Sequence, residues 1–359
     1  MINLSNLTYQ ELARFVTETL NEPKFRAKQI FGWIYGGPTK DGSFRSGAQS
    51  FDEMNNLPKT LREKLTAQAF LTSLDVLRTQ VSKLDGTRKF LFRLADGNAI
   101  ESVFMRYKFG NSICVSSQAG CRMGCRFCAS TIGGLKRNLT PGEIAGQILA
   151  AQRETGQRIS HVVVMGTGEP FDNYENLAKF LHIIHDPNGL NLGMRNITVS
   201  TCGLVPMIAR FAEDFPQVNL AISLHAVSNE MRDEIMPVNK AYPMETLLSA
   251  CRDYTQKTAR RVTFEYTLVK GVNDSAEYAR KLAARLQGML CHVNLIPLNK
   301  VEETGYDTSE RGAVLRFQQV LTECGIPATI RRELGDDIDA ACGQLRKRAA
   351  EAQREEHLS

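Results

Sequence analysis

From Ile113 onward the chain alternates between short apolar runs of strand length and longer stretches with helical spacing. The runs fall at residues 113–117, 161–165, 196–201, 218–223, 262–268 and 291–296, with a further one near 328–332. Helical stretches lie between them, beginning near Thr140, Tyr174, Val205, Pro243, Ala276 and Ser309. The first carries a start signal: Thr140 as N-cap, Pro141 at the first helical position and Glu143 to close a capping box. Such repetition specifies an α/β fold with a parallel sheet and right-handed crossovers. Six or so units fall short of a closed eight-fold barrel. A partial, open (βα)6 TIM-like barrel is expected, with its site at the C-terminal ends of the strands.

Two segments precede this core. Residues 1–72 read as a small helical unit. Thr8 and Glu11 form a capping box ahead of Leu12, Phe15, Val16 and Leu20. A second helix carries Phe25, Ile30, Phe31 and Ile34, and Pro58 opens a third. Lys24, Arg26, Lys28, Lys59, Arg62 and Lys64 decorate these helices. A solvated charged face explains them most simply; a surface for RNA phosphates is the sharper alternative. From about Ser73 to Tyr107 the period changes to two, and Asp96-Gly97 marks a hairpin turn between apolar runs, so residues 73–112 are read as a β-hairpin extension. The core domain is placed at 113–345 and a charged tail at 346–359.

Composition narrows the function classes. With 43% hydrophobic and 23% charged residues, a large core is expected and global disorder is not. No apolar run reaches the length of a membrane span, and the start of the chain lacks the pattern of a secretory signal. Nine cysteines do not make a regular framework, which points to a reducing cytoplasm and thiols used for metal or chemistry. The formal charge of +5 is compatible with nucleic acid without demanding it.

Three thiols stand in Cys121-Arg122-Met123-Gly124-Cys125-Arg126-Phe127-Cys128, spaced C-x3-C-x2-C with no fourth cysteine nearby. Thiolates hold zinc or iron–sulfur clusters. A structural zinc site closes with four protein ligands, so three suggest a cubane cluster with one iron open to a small molecule. A zinc knuckle completed by a distant His and plain buried cysteines remain the alternatives. Other features sit at strand ends: Gly166-Thr167-Gly168-Glu169-Pro170, Ser200-Thr201, Ser223-Leu224-His225 and Asn299. Polar groups converging there favour a small-molecule site. Near the C-terminus, Cys342 lies within Gly335-Asp336-Asp337-Ile338-Asp339-Ala340-Ala341-Cys342-Gly343-Gln344-Leu345 and is a candidate reactive thiol.

The cysteine spacing, with Phe127 before the last thiol, resembles the signature of the radical S-adenosylmethionine (SAM) enzymes. Taken with Cys114-Val115-Ser116-Ser117-Gln118-Ala119-Gly120-Cys121, Gly168-Glu169-Pro170, Ala221-Ile222-Ser223-Leu224-His225, Asn294-Leu295-Ile296-Pro297-Leu298-Asn299 and residues 335–345, the chain resembles the RlmN/Cfr family of radical SAM RNA methyltransferases. The resemblance runs from about Glu101 to Leu345.

That resemblance implies a radical SAM core and a [4Fe-4S] cluster on Cys121, Cys125 and Cys128. It implies two SAM molecules per turnover, contacted by Gly168, Glu169, Ser200, Ser223, Leu224, His225 and Asn299. Carbon 2 of adenine is electron-poor, so direct SAM methylation fails there. Cys342 would take a methyl group from one SAM. A deoxyadenosyl radical from the second would activate that methyl group for addition to the base. Family position makes Glu101 the base that removes the ring proton. Cys114 would then attack the Cys342 sulfur, release the product and leave a transient Cys114–Cys342 disulfide. The implied partners are 23S rRNA in its peptidyl-transferase region, tRNA, and an electron donor such as flavodoxin, for a cytoplasmic monomer that does not use a membrane.

Pro170 and Pro297 are more like RlmN, which methylates carbon 2, than Cfr, which methylates carbon 8 and confers antibiotic resistance. Thr167 departs from the Met more usual there, and Cys202 is a local variant. Cys251, Cys291 and Cys324 match no family role and are read as packing residues. A non-enzymatic zinc-knuckle RNA-binding protein is the alternative of another class. A radical SAM enzyme of other reaction type is disfavoured by the two thiols Cys114 and Cys342.

Overall fold

The computed structural model describes residues 1–38, 44–298, 307–332 and 334–338. Near the N-terminus, α1 (Tyr9–Arg14) opens on the expected capping box, with Thr8 accepting from the Glu11 N–H and Glu11 reaching back to Thr8. α2 (Phe25–Tyr35) buries Ala27, Ile30, Phe31 and Ile34. Phe25, expected on that apolar face, is instead exposed at the helix start beneath the Arg26 guanidinium. α3 (Lys59–Gln68) follows Pro58 and buries Leu61 and Leu65. Its cations meet acids: Lys64 lies 2.7 Å from Glu22, Arg62 3.8 Å from Asp52 and Lys59 3.9 Å from Glu63.

Among the described residues, ten strands form one sheet in sequential order. β1 (Asp75–Val81), β2 (Arg88–Arg93), β3 (Ala99–Tyr107) and β4 (Gly110–Cys114) pair antiparallel in turn. The Asp96-Gly97 turn joins β2 to β3, with Gly97 at φ +82°. β1 falls inside the segment read as period two, but residue order set no bounds for it. It is a mostly exposed sheet edge with a bulge between Val76 and Arg78, so it lacks clean alternation.

From β4 on, every pairing is parallel, through β5 (His161–Val164), β6 (Ile197–Thr201), β7 (Asn219–Ser223), β8 (Val262–Leu268), β9 (Cys291–Pro297) and β10 (Ala328–Ile330). The order is linear, with β1 and β10 at its two edges. The expected open barrel is what forms.

The crossovers are α4 (Pro141–Thr155), α5 (Tyr174–His185), α6 (Val205–Asp214), a short α7 (Asn229–Ile235) with α8 (Met244–Thr258), α9 (Ala276–Leu286) and α10 (Arg311–Glu323). α7 went unforeseen because its seven residues are too few to show periodicity.

The main core lies between the helices and the outer face of the sheet. On α5, Leu177, Phe180, Leu181 and Ile184 stand at helical spacing with no exposed surface. Each contributes about 1.5–3 kcal/mol by burial. Val199, Phe264, Tyr266, Val293 and Leu295 meet this layer from the strands. Cys251 and Cys291 are buried as expected, but Cys324 is exposed, because it caps the C-terminus of α10 rather than facing the core. With the apolar side chains turned outward to the helices, the inner face carries the polar and reactive ones.

Candidate active site

The loop after β4 is held by backbone contacts. Ser116 N donates to Gln147 Oε1 of α4 at 2.8 Å, and Gln147 Nε2 donates to Ser116 O at 2.9 Å. Ser117 N and Gln118 N both donate to Thr167 O, at 2.9 and 3.1 Å. Thr167 therefore works through its backbone, so the departure at this position leaves the contact intact. A Cβ on Gly168 would lie 2.6 Å from Gln118 Cβ and 2.7 Å from Gln118 N, and its φ is +113°. Glycine is thus required where the two strand-end loops cross. Gln118, which the sequence reading did not single out, ties them further: its Oε1 accepts from Glu169 N at 2.8 Å and its Nε2 donates to Asp172 Oδ2 at 2.9 Å.

Cys121, Cys125 and Cys128 line one cavity of about 1090 Å³, open mouth included, together with Gly168, Glu169, Ser200, Ser223 and His225. Among the described residues, no three His, Cys, Asp or Glu side chains converge closely enough for one metal ion. A tetrahedral zinc would hold its sulfurs roughly 3.8 Å apart. Three thiols lining one cavity suit a cluster that brings its own sulfides. Burial pushes the Cys121 thiol up to about 11 and raises Cys125 further, with the neighbouring thiols adding to the effect. Metal loading must therefore displace protons.

Glu169 is 3% exposed. Its Oε1 accepts from Phe171 N at 3.0 Å and its Oε2 from Cys202 N at 2.7 Å. Burial raises its pKa, and those hydrogen bonds oppose the shift. Among the described residues no cation pairs with it in a salt bridge. A buried carboxylate held only by neutral donors fits a ligand ammonium.

His225 closes the opposite wall at φ +54°. Its Nδ1 lies 2.9 Å from Thr267 N–H and so accepts, which leaves the proton on Nε2. Burial, with Arg232 nearby, lowers its pKa to about 3, so the ring is neutral. Its ring meets Phe127 of the cysteine motif edge to face, centroids 4.8 Å apart. Leu224 differs from its neighbours: its side chain enters the main core, and only its backbone faces Glu265, donating to that carbonyl at 3.0 Å.

Arg232 of α7 was also missed in the sequence. It has no exposed surface, and it donates to Cys202 O at 2.6 Å, Ser223 O at 3.1 Å, Leu224 O at 3.3 Å and Asn239 Oδ1 at 3.1 Å. One planar guanidinium thus fixes the ends of β6 and β7. Arg126 N, inside the cysteine motif, donates to Ile235 O at the end of the same helix at 3.0 Å.

A second group lies on the same inner face. Lys89 opposes Val103, Val103 opposes Cys114, and Cys114 opposes Val163. Opposed residues share a face, and Glu101 stands two residues from Val103. Glu101 and Cys114 therefore point the same way. Lys89 Nζ lies 3.1 Å from Glu101 Oε1, both buried. Val103, Met105 and Cys114 pack with Leu334 and Ile338 in a small cluster of their own. Asn299 and Cys342 lie outside the described residues, as does the tail.

Comparison with known proteins decides between the alternatives. The Radical SAM superfamily profile matches residues 115–283, and the profile of the ribosomal RNA large subunit methyltransferase N-terminal domain matches residues 2–71. A probable dual-specificity RNA methyltransferase RlmN of Clostridium novyi is 52% identical over 347 residues, 97% of this chain and 98% of that protein. The chain belongs to the RlmN family of radical SAM RNA methyltransferases. An RlmN of Desulforamulus reducens, also named a probable dual-specificity RNA methyltransferase, is 52% identical over 97% of this chain and 96% of its own. The crystal structure of a radical SAM methyltransferase from Sphaerobacter thermophilus superposes with a TM-score of 0.89 at 47% identity, covering 96% of this chain and 99% of that one. As an RlmN-family enzyme, the protein uses a [4Fe-4S] cluster and SAM, and the zinc-knuckle alternative falls away. No helix among the described residues is long and apolar enough to cross a membrane.

Proposed function

We propose that the protein methylates carbon 2 of an adenine in 23S rRNA and in tRNA, in the cytoplasm, as a monomer that draws electrons from a donor such as flavodoxin. Relatives described as dual-specificity support two classes of RNA substrate. Cys121, Cys125 and Cys128 would hold the cluster. Glu169 would take the SAM ammonium, with Gly168, Ser200, Ser223, His225, Asn299 and the Leu224 backbone around the rest of that ligand. When bound, the cluster and SAM supply a transferable methyl group and the radical that activates it.

The chain's own residues do the remainder. Cys342 carries the carbon as S-methylcysteine and presents it to the base. Glu101 accepts the proton that leaves the ring, and Lys89 holds its carboxylate in place. The Cys114 thiolate attacks the Cys342 sulfur: a sulfur–sulfur bond forms, the carbon–sulfur bond breaks, and the freed carbon, left with that electron pair, takes up a proton to become the methyl group of the product. Residues 1–72 would serve as an RNA-binding unit, with Lys24 and Lys28 exposed toward phosphates. Residues 73–112 would form the hairpin extension and 113–345 the core.

The observation that carries this reading is the packing of Cys114 against Leu334 and Ile338. Cys342 follows Ile338 by four residues, a reach of at most about 14 Å. The test is Cys114→Ala. It should accumulate a covalent RNA–protein adduct through Cys342, visible as a retarded band that Cys114→Ala/Cys342→Ala does not give. A Cys114→Ala enzyme that keeps its cluster and still turns over without an adduct would remove Cys114 from the release step.

A further inference from the structure

The turn between β1 and β2, residues Ser82 to Thr87, binds a segment some 250 residues away in sequence. Gly335 N donates to Asp85 Oδ2 at 3.0 Å, and Lys83 N donates to Asp337 Oδ2 at 2.9 Å. Each side thus gives one backbone N–H and one carboxylate. The Ser82 hydroxyl also bonds Asp337 and holds its carboxyl below the usual range. The turn is also braced within itself. Ser82 Oγ accepts from Leu84 N and Asp85 N at 3.1 and 3.3 Å, and Thr87 N donates to Asp85 Oδ1 at 2.8 Å, which aims Oδ2 outward.

What is held matters for the chemistry. The chain leaves β10 at one edge of the sheet and is caught by the turn that follows β1, the other edge. Leu334 and Ile338, which flank the held residues Gly335 and Asp337, settle on Cys114. We propose that the Ser82–Thr87 turn is a latch that fixes residues 334–338 over Cys114, and so governs how fast Cys342, four residues further along the chain, can bond to that thiol. Asp85 and Asp337 are then positioning residues. The proposal rests on the assignment of Cys342 and Cys114 made above.

The test uses the full-length, cluster-loaded chain with Asp85→Ala, Asp337→Ala and the conservative Asp337→Asn, which keeps an acceptor. Hydrogen exchange over residues 334–338 reads the latch itself. Protection should fall about tenfold or more in both alanine variants, as expected for lost hydrogen bonds to a charged acceptor, and stay near wild type in Asp337→Asn. The rate of Cys114–Cys342 disulfide formation, with oxidised glutathione as the electron acceptor and peptide mapping as the readout, reads its effect on Cys342. It should fall about tenfold in Asp85→Ala and in Asp337→Ala and stay near wild type in Asp337→Asn. Unchanged exchange, or an unchanged rate of bond formation, overturns the latch. If the wild-type chain forms no Cys114–Cys342 bond, the assignment of the two thiols fails, and the exchange measurement alone decides whether the turn is a latch.

Discussion

Lys89 Nζ lies 3.1 Å from Glu101 Oε1, with the two side chains 9% and 10% exposed. An ion pair this buried is poor evidence of stability in itself, but breaking it is costly. Lys89→Met should lower the free energy of unfolding by about 3–5 kcal/mol, read from urea denaturation. Replacing both partners, Lys89→Met with Glu101→Leu, should recover most of that loss. Glu101→Gln should slow methylation by about 10²–10⁴ while the cluster's absorbance survives. An equal loss of stability in the single and double variants would contradict the pairing.

His225 gives a pH prediction. Its folded-state pKa is about 3, against an ordinary value of 6.5. The unfolded chain therefore binds a proton below pH 6.5 that the folded chain refuses until about pH 3. Its contribution to stability is full above pH 6.5 and is lost as pH falls toward 3, by up to about 1.4 kcal/mol per pH unit. The difference in unfolding free energy between wild type and His225→Gln, followed from pH 8 to pH 4.5, should shrink on the acid side. A difference independent of pH would contradict the neutral ring.

Two glycines with positive φ should behave differently. At Gly271 (φ +69°) nothing lies within 4 Å of a new Cβ, so Gly271→Ala should cost only about 1–2 kcal/mol of backbone strain. At Gly168 the new atom meets the Gln118 backbone. Gly168→Ala should move the two loops apart and weaken SAM binding at least tenfold, as measured by equilibrium dialysis. Comparable SAM affinity in the two variants would place the crossing outside the ligand site.

Much of this was readable from residue order. The parallel strands show because buried strands between amphipathic helices are continuous apolar runs, and Val262–Leu268 occurs with the bounds expected. The three thiols and Glu169 stood out as motifs in the residue order, and all four line one cavity. Residues that act through geometry were not. Arg232 looks like any helical arginine until four acceptors are seen around it. Lys89 reads as an ordinary strand cation, and only register sets it beside Glu101. Gln118 and Asp85 are recognised by what they bridge, across separations of 51 and 250 residues.

Nucleoside mass spectrometry of RNA after anaerobic reaction with the cluster-loaded enzyme, SAM and a reductant reads out where the methyl group goes. The wild-type enzyme should give 2-methyladenosine and Cys342→Ala none, even though that variant keeps its cluster. Formation of 8-methyladenosine, or of the 2-methyl product without Cys342, would contradict the proposed function.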